Sequence, residues 1–215
     1  MDATTAPETR PNDFIGDAEE LRGLYGTPSE LSRKKTLTRL DKHCRKFISL
    51  APFLCLATAD ADGNLDVSPK GDGPGFVEVL NDTTLLIPDR MGNNRIDGLM
   101  NVLANPHVGL IFFIPGVEET VRVNGRARIV RDAATLARFV VNGKAPTTVL
   151  MVEIDEAFLH CSKALKRSDL WGGKNRVERK TLPTLGKMIA DQIEDGPDAE
   201  EAERMVQHSL KTRLY

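Results

Sequence analysis

Several features that define major protein classes are scarce or missing in this sequence. Only three cysteines occur among 215 residues and none forms a CxxC pair, which argues against a disulfide framework and a zinc ribbon. The longest apolar run, residues 108–114, is too short to cross a bilayer. The opening residues lack the charged and apolar regions of a signal peptide. These absences predict a cytoplasmic protein without a membrane-spanning segment.

Neither sign of charge dominates the chain. Lysine and arginine total 29 against 31 aspartate and glutamate, a net charge of −2, which provides no general attraction to nucleic acid or anionic lipid. Basic residues are nevertheless dense between residues 159 and 180, where the single tryptophan also lies, whereas residues 189–203 carry only acidic charges. We therefore expect neither nucleic acid nor a membrane as a partner.

Hydrophobic periodicity divides the chain into a helical start and a β-rich centre. Residues 37–50 space their apolar side chains three and four apart, which predicts an amphipathic helix. After Pro52 the period changes to two, as in half-buried strands. Residues 119–131 alternate cleanly, whereas residues 108–114 contain almost no polar side chain, which predicts a strand buried on both faces. About six strands in adjacent hairpins, with short helices between them, predict a mainly β antiparallel barrel.

Residues 85–95 run from a strand through a glycine-containing loop into a helix. Asn93 or Asn94 is the natural N-cap, and an apolar stripe follows at three- and four-residue spacing: Ile96, Leu99, Met100 and Leu103. A helix start offers unpaired N–H groups and the positive end of the helix dipole, which favour a phosphate. Arg95 in the first turn is unfavourable unless an anion lies beside it. The segment therefore predicts a phosphomonoester site, although a capped helix with an exposed arginine would give the same pattern.

A second candidate lies at Ser68 and Lys70. Pro69 has no N–H group, so its strand must lie at an edge or end there. Lys70 then emerges beside a glycine-rich loop, where a flat ligand could approach the backbone. A lysine that protects a sheet edge from pairing is the alternative interpretation.

The order of these segments resembles the pyridoxamine-5′-phosphate-oxidase-like flavoproteins. The resemblance covers residues 37–154 and includes the hairpin strand 65–70, the Gly-Asn-Asn-Arg helix start, Ala-Asn-Pro at 104–106 and the alternating strand 121–128. It implies a six-stranded antiparallel split β-barrel with inserted helices. It also implies a homodimer that binds FMN in two sites between its subunits.

The resemblance further implies which barrel residues bind the cofactor. Lys70 corresponds to a lysine near the polar edge of the flavin ring. Asn94 and Arg95 correspond to the family's Arg-Lys pair at the FMN phosphate, and Asn93 replaces a serine. Two strand-end positions have Tyr-Thr in the oxidases and differ here. The implied barrel set is Val67, Ser68, Lys70, Ile87, Pro88, Asn93, Asn94 and Arg95.

Two further departures affect the expected chemistry. Leu65 occupies a position that is arginine in the oxidases, so one phosphate-binding cation is missing. We expect Lys163, Arg167 or Trp171, reaching across from the partner subunit, to supply charge or a stacking surface. The C-terminal Arg-x-His motif that grips the vitamin's phosphate in the oxidases is also missing, so we do not expect pyridoxamine phosphate as the substrate.

These observations predict an FMN-dependent oxidoreductase that acts on an unidentified small molecule. The alternative is a non-catalytic flavin- or haem-binding or sensing protein, because split barrels also bind haem or the deazaflavin F420. No metal site is expected, since neighbouring His-Cys pairs chelate poorly. We predict an N-terminal extension of loop and short helices over 1–36, the FMN-binding barrel over 37–158, and a C-terminal helix and loop extension over 159–215 that packs on the barrel or the partner subunit.

Overall fold

The computed structural model describes residues 14–215, which belong to two compact units divided between Lys35 and Thr36. The first unit contains helices α1 (Ala18–Tyr25) and α2 (Glu30–Lys34). Each begins at a side-chain cap, because Asp17 and Ser29 accept hydrogen bonds from N–H groups three residues later. Residues 1–13 of the predicted N-terminal extension lie outside the described residues.

The second unit contains the sheet and six α-helices among the described residues. All strand pairs are antiparallel, in the order β2-β1-β5-β6-β7-β4-β3. The strands are β1 (Phe53–Ala59), β2 (Leu65–Gly71), β3 (Glu78–Asn81), β4 (Thr84–Asp89), β5 (His107–Phe113), β6 (Thr120–Val130) and β7 (Thr148–His160). The helices are α3 (Lys42–Leu50), α4 (Asp97–Ala104), α5 (Ala133–Ala137), α6 (Lys163–Ser168), α7 (Leu185–Gln192) and α8 (Ala199–Thr212).

The mainly β, antiparallel fold class is confirmed, with seven strands where six were expected. Strand β6 shows the predicted alternation: Val121, Val123 and Ala127 are buried, whereas Arg122 and Arg126 are exposed. The ladder shifts register after Asn124, and a Cβ at Gly125 would lie 2.1 Å from the Glu153 carbonyl oxygen. The close approach of β7 therefore requires glycine there.

Strand β5 differs from its prediction. Val108, Leu110 and Phe112 lie in the core, but Gly109 and Ile111 on the other face are only half-buried. That face continues onto β1, whose outward side chains are also partly exposed. An apolar strand of this kind therefore lines the core with one face and leaves the other partly open.

Helix α4 also differs from its prediction in both its start and its buried face. It begins at Asp97, because Asn94 and Ile96 adopt the left-handed region at φ 62° and 53°, and neither caps the helix. The predicted stripe faces the core only in part: Met100 and Leu103 are 56% and 71% exposed, whereas Leu99 packs against the core beside the buried Val102. Periodicity identified an apolar face but could not show which face the barrel covers.

The C-terminal helices α7 and α8 pack together through a glycine. A Cβ at Gly186 would lie 2.3 Å from the Glu203 backbone nitrogen, and the Gly186 N–H donates to Glu203 Oε2 at 3.0 Å. The close packing of the two helices therefore requires glycine at position 186.

No helix among the described residues is both long enough and apolar enough to span a membrane. Strand β7 continues to His160, two residues past the predicted barrel boundary.

Candidate cofactor-binding site

A cleft of about 660 Å³ opens beside β2, between the end of β4 and the start of α4. The alternation of β2 directs Asp66, Ser68 and Lys70 toward this cleft, while Leu65 and Val67 are exposed on the other face of the strand. The start of β7 and one residue after α8 complete its walls. Its lining comprises residues 89–99 together with Leu56, Asp66, Ser68, Lys70, Thr147, Thr148 and Arg213.

Lys70 is held at the cleft by an ion pair. Its Nζ lies 2.9 Å from Asp89 Oδ1, and the two side chains are only 22% and 20% exposed. Asp89 ends β4 and pairs across the sheet with Thr148. The Thr148 hydroxyl oxygen is buried and has no hydrogen-bond partner among the described residues. A buried unpaired hydroxyl is unfavourable, so Thr148 is a polar group next to the cleft that the fold leaves unsatisfied.

The loop before α4 makes its own turn instead of capping the helix. Asn93 Oδ1 accepts a hydrogen bond from the Arg95 N–H at 3.1 Å, and Arg95 Nε donates to Asp97 Oδ2 at 2.8 Å. No side chain of the described residues caps the start of α4. The Leu99 and Met100 N–H groups both donate to the Ile96 carbonyl at 2.9 Å, which leaves the N–H groups of Asp97 and Gly98 without a capping side chain. The predicted capping by Asn93 or Asn94 is wrong, and the phosphate site stays a prediction.

The segment that follows α8 borders the cleft through Arg213, and Tyr215 lies in an adjoining pocket that shares Arg90, Met91 and Thr147 with the cleft. The Tyr215 hydroxyl donates to Asp72 Oδ1 at 2.8 Å, and Arg90 Nε donates to Asp72 Oδ2 at 2.6 Å. The Arg90 guanidinium carbon also lies 5.9 Å from the centre of the Tyr215 ring. We call Asp72, Arg90 and Tyr215 the tail latch. Two contacts support it: Arg90 Nη1 donates to the Phe139 carbonyl at 2.7 Å, and Lys144 Nζ donates to the Tyr215 backbone oxygen at 2.7 Å.

The latch changes the acidity of both of its titratable oxygens. Burial alone would raise the pKa of the Asp72 carboxyl, but hydrogen bonds from Tyr215, the Gly73 N–H and Arg90 together lower this pKa below its ordinary value. The bond to the Asp72 carboxylate raises the pKa of the Tyr215 phenol. The latch is therefore a charge-assisted hydrogen bond between an ionised carboxylate and a neutral phenol at neutral pH.

Charged groups in the cleft are mostly paired with each other. Lys70 pairs with Asp89, Arg95 with Asp97, and Arg90 with Asp72 behind the cleft wall. Two charged residues at the lining have no ion pair within residues 14–215, and these are the cation Arg213 and the acid Asp66. A Cβ at Gly98 would lie 3.3 Å from Asp66 Oδ2, so this carboxylate lies against the first turn of α4.

The structure brings together five of the predicted site residues and separates the others. Three predicted barrel residues do not line the cleft: Val67 faces outward, and Ile87 and Pro88 are buried at the end of β4. The five that share the cleft are Ser68, Lys70, Asn93, Asn94 and Arg95.

The basic stretch of the C-terminal extension lies outside the cleft of its own chain. Lys163 and Arg167 are exposed on α6. The Trp171 indole N–H donates to the Val117 carbonyl at 2.8 Å, and the residue is 37% exposed, so it is not buried in the core. Their expected approach to the cofactor from a partner subunit stays a prediction.

Several residues of the cleft were missed by sequence reasoning. Asp89 and Arg90 directly follow a recognised strand, and their position at its end was a usable signal. Asp72, Arg213 and Tyr215 gave no local signal, because their contacts join residues up to 143 positions apart.

Other chemistries find little support in the described residues. No three His, Cys, Asp or Glu side chains gather there as a metal site, and no histidine lines the cleft. Burial raises the pKa of the Cys44 thiol to about 12, which keeps this cysteine protonated and unreactive.

Comparison with known proteins identifies the family of this chain. The family model for pyridoxamine 5′-phosphate oxidase matches residues 40–161, more than half of the chain. No curated protein sequence matches significantly.

Solved structures show weaker likeness. HupZ of Group A Streptococcus is 18% identical with a TM-score of 0.46, covering 56% of this chain and 93% of that one. An FAD binding protein from Mycobacterium smegmatis is 23% identical with a TM-score of 0.40, covering 58% and 97%. The General Stress Protein 26 of Bacillus anthracis is 17% identical with a TM-score of 0.40, covering 53% and 88%. The assignment therefore depends on the family match together with the fold: this chain belongs to the pyridoxamine 5′-phosphate oxidase family and has its split-barrel fold.

Proposed function

We propose that this protein is an FMN-dependent oxidoreductase that binds FMN in the cleft and acts on a small molecule other than pyridoxamine phosphate. The observation on which the proposal rests is that one cleft combines the uncapped start of α4 with the side chain of Lys70, in a chain of this family. A phosphate group suits the first site, and a polar ring edge suits the second.

The residues present fit FMN at two points, the start of α4 and Lys70. The Asp97 and Gly98 N–H groups at the start of α4, with Asn93, Asn94 and Arg95, would hold the phosphate. Bound FMN supplies the hydride or electron transfer, and the protein contributes position and electrostatics.

Lys70 would act on the flavin through its charge. A cation near the polar edge of the ring stabilises negative charge on the reduced flavin. Here Asp89 lies 2.9 Å away and offsets part of that charge, so the field at the ring depends on both side chains. Lys70→Met is expected to change flavin affinity or midpoint potential.

The absence of an Arg-x-His motif near the end of the sequence argues against pyridoxamine phosphate as the substrate. Haem is a weaker candidate than flavin in this cleft, because no histidine is among the described residues that line it. We therefore retain flavin as the cofactor.

A homodimer is part of the proposal. On α4 and just before it, beside the cleft, Ile96, Met100 and Leu103 expose an apolar stripe. Exposed apolar clusters of this kind favour association, and a second copy of the chain is the occupant we propose. Lys163, Arg167 and Trp171 would then approach the cofactor from that second copy. Met100→Glu/Leu103→Glu is expected to produce monomers in sedimentation measurements, and unchanged dimers would contradict this interface.

The proposal is tested by flavin titration of the purified protein. We expect a flavin absorption spectrum with FMN, and strongly reduced FMN affinity in Asn93→Ala/Arg95→Ala. Arg204→Ala on α8 is the matched control, since it also removes one exposed arginine. Undiminished FMN binding by the double variant would overturn the assignment. Rapid reduction of the bound flavin by nicotinamide donors, followed by reoxidation with candidate acceptors, would then separate an enzyme from a carrier.

A further inference from the structure

We infer that Arg213, in the segment that follows α8, supplies the cation missing from the FMN phosphate site. The inference rests on the proposed function and deepens it. The resemblance implies a further phosphate cation at position 65, but leucine stands there and is exposed on the face of β2 away from the cleft, so we expect this cation from another element. Arg213 lines the same cleft as Asn93, Asn94 and Arg95, within a single chain.

The pairing of charges in the cleft favours Arg213 over its neighbours. Lys70 and Arg95 each have a carboxylate partner at 2.9 and 2.8 Å, which already offsets their charge. Arg213 has no ion pair within the described part of the chain. A guanidinium without a protein carboxylate can form two parallel hydrogen bonds to a phosphate at full strength.

The tail latch explains why Arg213 stays at the cleft. Tyr215 lies two residues beyond it and is fixed by its hydroxyl bond to Asp72 and by the Lys144 contact to its backbone oxygen. On the other side, the Arg213 backbone N–H donates to the Ser209 carbonyl at 2.9 Å and so continues α8. The residue is thus held between a helix end and an anchored side chain, which lowers the entropy lost when it binds an anion.

The inference predicts a phosphate-specific effect. Loss of Arg213 should weaken binding of FMN, which has the phosphate, and leave riboflavin, which lacks it, almost unchanged. A residue that only supports the cleft wall would weaken both flavins together. The ratio of the two dissociation constants therefore separates a ligand contact from a structural role.

The experiment measures dissociation constants of FMN and riboflavin by fluorescence quenching for the 215-residue chain and four variants, Arg213→Gln, Arg213→Lys, Arg204→Gln and Arg167→Gln. For Arg213→Gln we expect FMN binding weakened about tenfold, the usual scale for one charge-assisted contact, with riboflavin binding within about twofold of wild type. Arg213→Lys keeps the charge but loses the planar fork, so an intermediate loss is expected. Arg204→Gln, an equal charge change on α8, should leave both constants unchanged.

Three outcomes would overturn the inference. An unchanged FMN-to-riboflavin ratio in Arg213→Gln, while the wild type binds both flavins, would remove Arg213 from the phosphate site and leave the proposed function standing. The same conclusion follows if Arg167→Gln raises the ratio of the FMN to the riboflavin dissociation constant and Arg213→Gln does not, because the cation would then come from α6. Failure of the wild type to bind either flavin would overturn the proposed function as well. If Arg213→Gln does not fold, the ratio in Arg213→Lys decides, and a wild-type ratio there counts against the phosphate contact.

Discussion

The two walls of the cleft are built in opposite ways. On the α4 side, Arg95 pairs with Asp97 only two residues away, and these side chains are 74% and 43% exposed. On the tail side, Arg90 pairs with Asp72 across 18 positions of sequence, and these side chains are 17% and 7% exposed. Exposed pairs contribute little to stability, whereas removing one partner of a buried pair is costly. The tail wall therefore stabilises the fold, and the α4 wall remains free to rearrange around a ligand.

The largest expected effect comes from breaking the tail latch. Asp72→Asn leaves Arg90 without a carboxylate and weakens the bond from Tyr215. We expect the free energy of unfolding to fall by about 2–3 kcal/mol, the scale for losing hydrogen bonds to a charged group, as measured by urea denaturation. Because the pKa of Asp72 is lowered in the fold, its contribution is complete above the ordinary carboxyl pKa and is lost as the pH falls through the lowered value.

Asp97→Asn is the matched control on the other wall. It removes the same charge from an exposed pair at a helix start, so a loss of about 0.5 kcal/mol is expected, mainly through the helix dipole. Equal losses of unfolding free energy in Asp72→Asn and Asp97→Asn would show that the buried pair on the tail side is no more stabilising than the exposed pair on the α4 side.

A smaller effect is expected from the unpaired acid on the α4 wall. Asp66 lies against the first turn of α4, where its charge would repel a bound phosphate. Asp66→Asn should therefore strengthen FMN binding, by about fivefold for a partly screened charge pair, and leave riboflavin binding nearly unchanged. Asp62→Asn, in the exposed turn of the same hairpin, is the control. Weaker FMN binding by Asp66→Asn would mean that this carboxylate organises the helix start for the ligand.

The contrast between the walls also explains what could be predicted from the sequence. The alternation of β6 and the edge position of β2 follow from local period and from Pro69, so both were predicted. The start of a helix after the loop at Gly92 was predicted to within a few residues, although Asn94 and Ile96 adopt left-handed conformations that periodicity does not reveal, and the phosphate site there stays a prediction. Local sequence patterns were therefore enough to predict the helix that forms the α4 wall.

The tail wall could not be predicted in this way. Asp72 lies in a glycine-rich loop and Tyr215 lies 143 positions later, and neither has a neighbour in sequence that indicates the other. The dense charges of residues 159–180 favoured α6, although the cation of the C-terminal extension that lines the cleft in this chain is the more isolated Arg213. A high density of charged residues in the sequence indicates that those residues are exposed. Which C-terminal cation lines the cleft depends instead on the path of the chain after α8.

The smallest expected effect is a change in the pKa of the Tyr215 phenol, which a titration measures and which reports directly on the tail latch. Its bond to Asp72 raises the pKa of the Tyr215 phenol, so the contact is complete below the ordinary tyrosine pKa and is lost as the pH rises through the raised value. The chain has only two tyrosines, and Tyr25→Phe isolates the signal of Tyr215 in ultraviolet difference absorbance. We expect ionisation above the ordinary range in this variant and a return toward it when Asp72→Asn is added. An unchanged midpoint on adding Asp72→Asn would show that the tail is not held by this bond in solution, and the contrast between the two walls would then rest on the Arg90 pair alone.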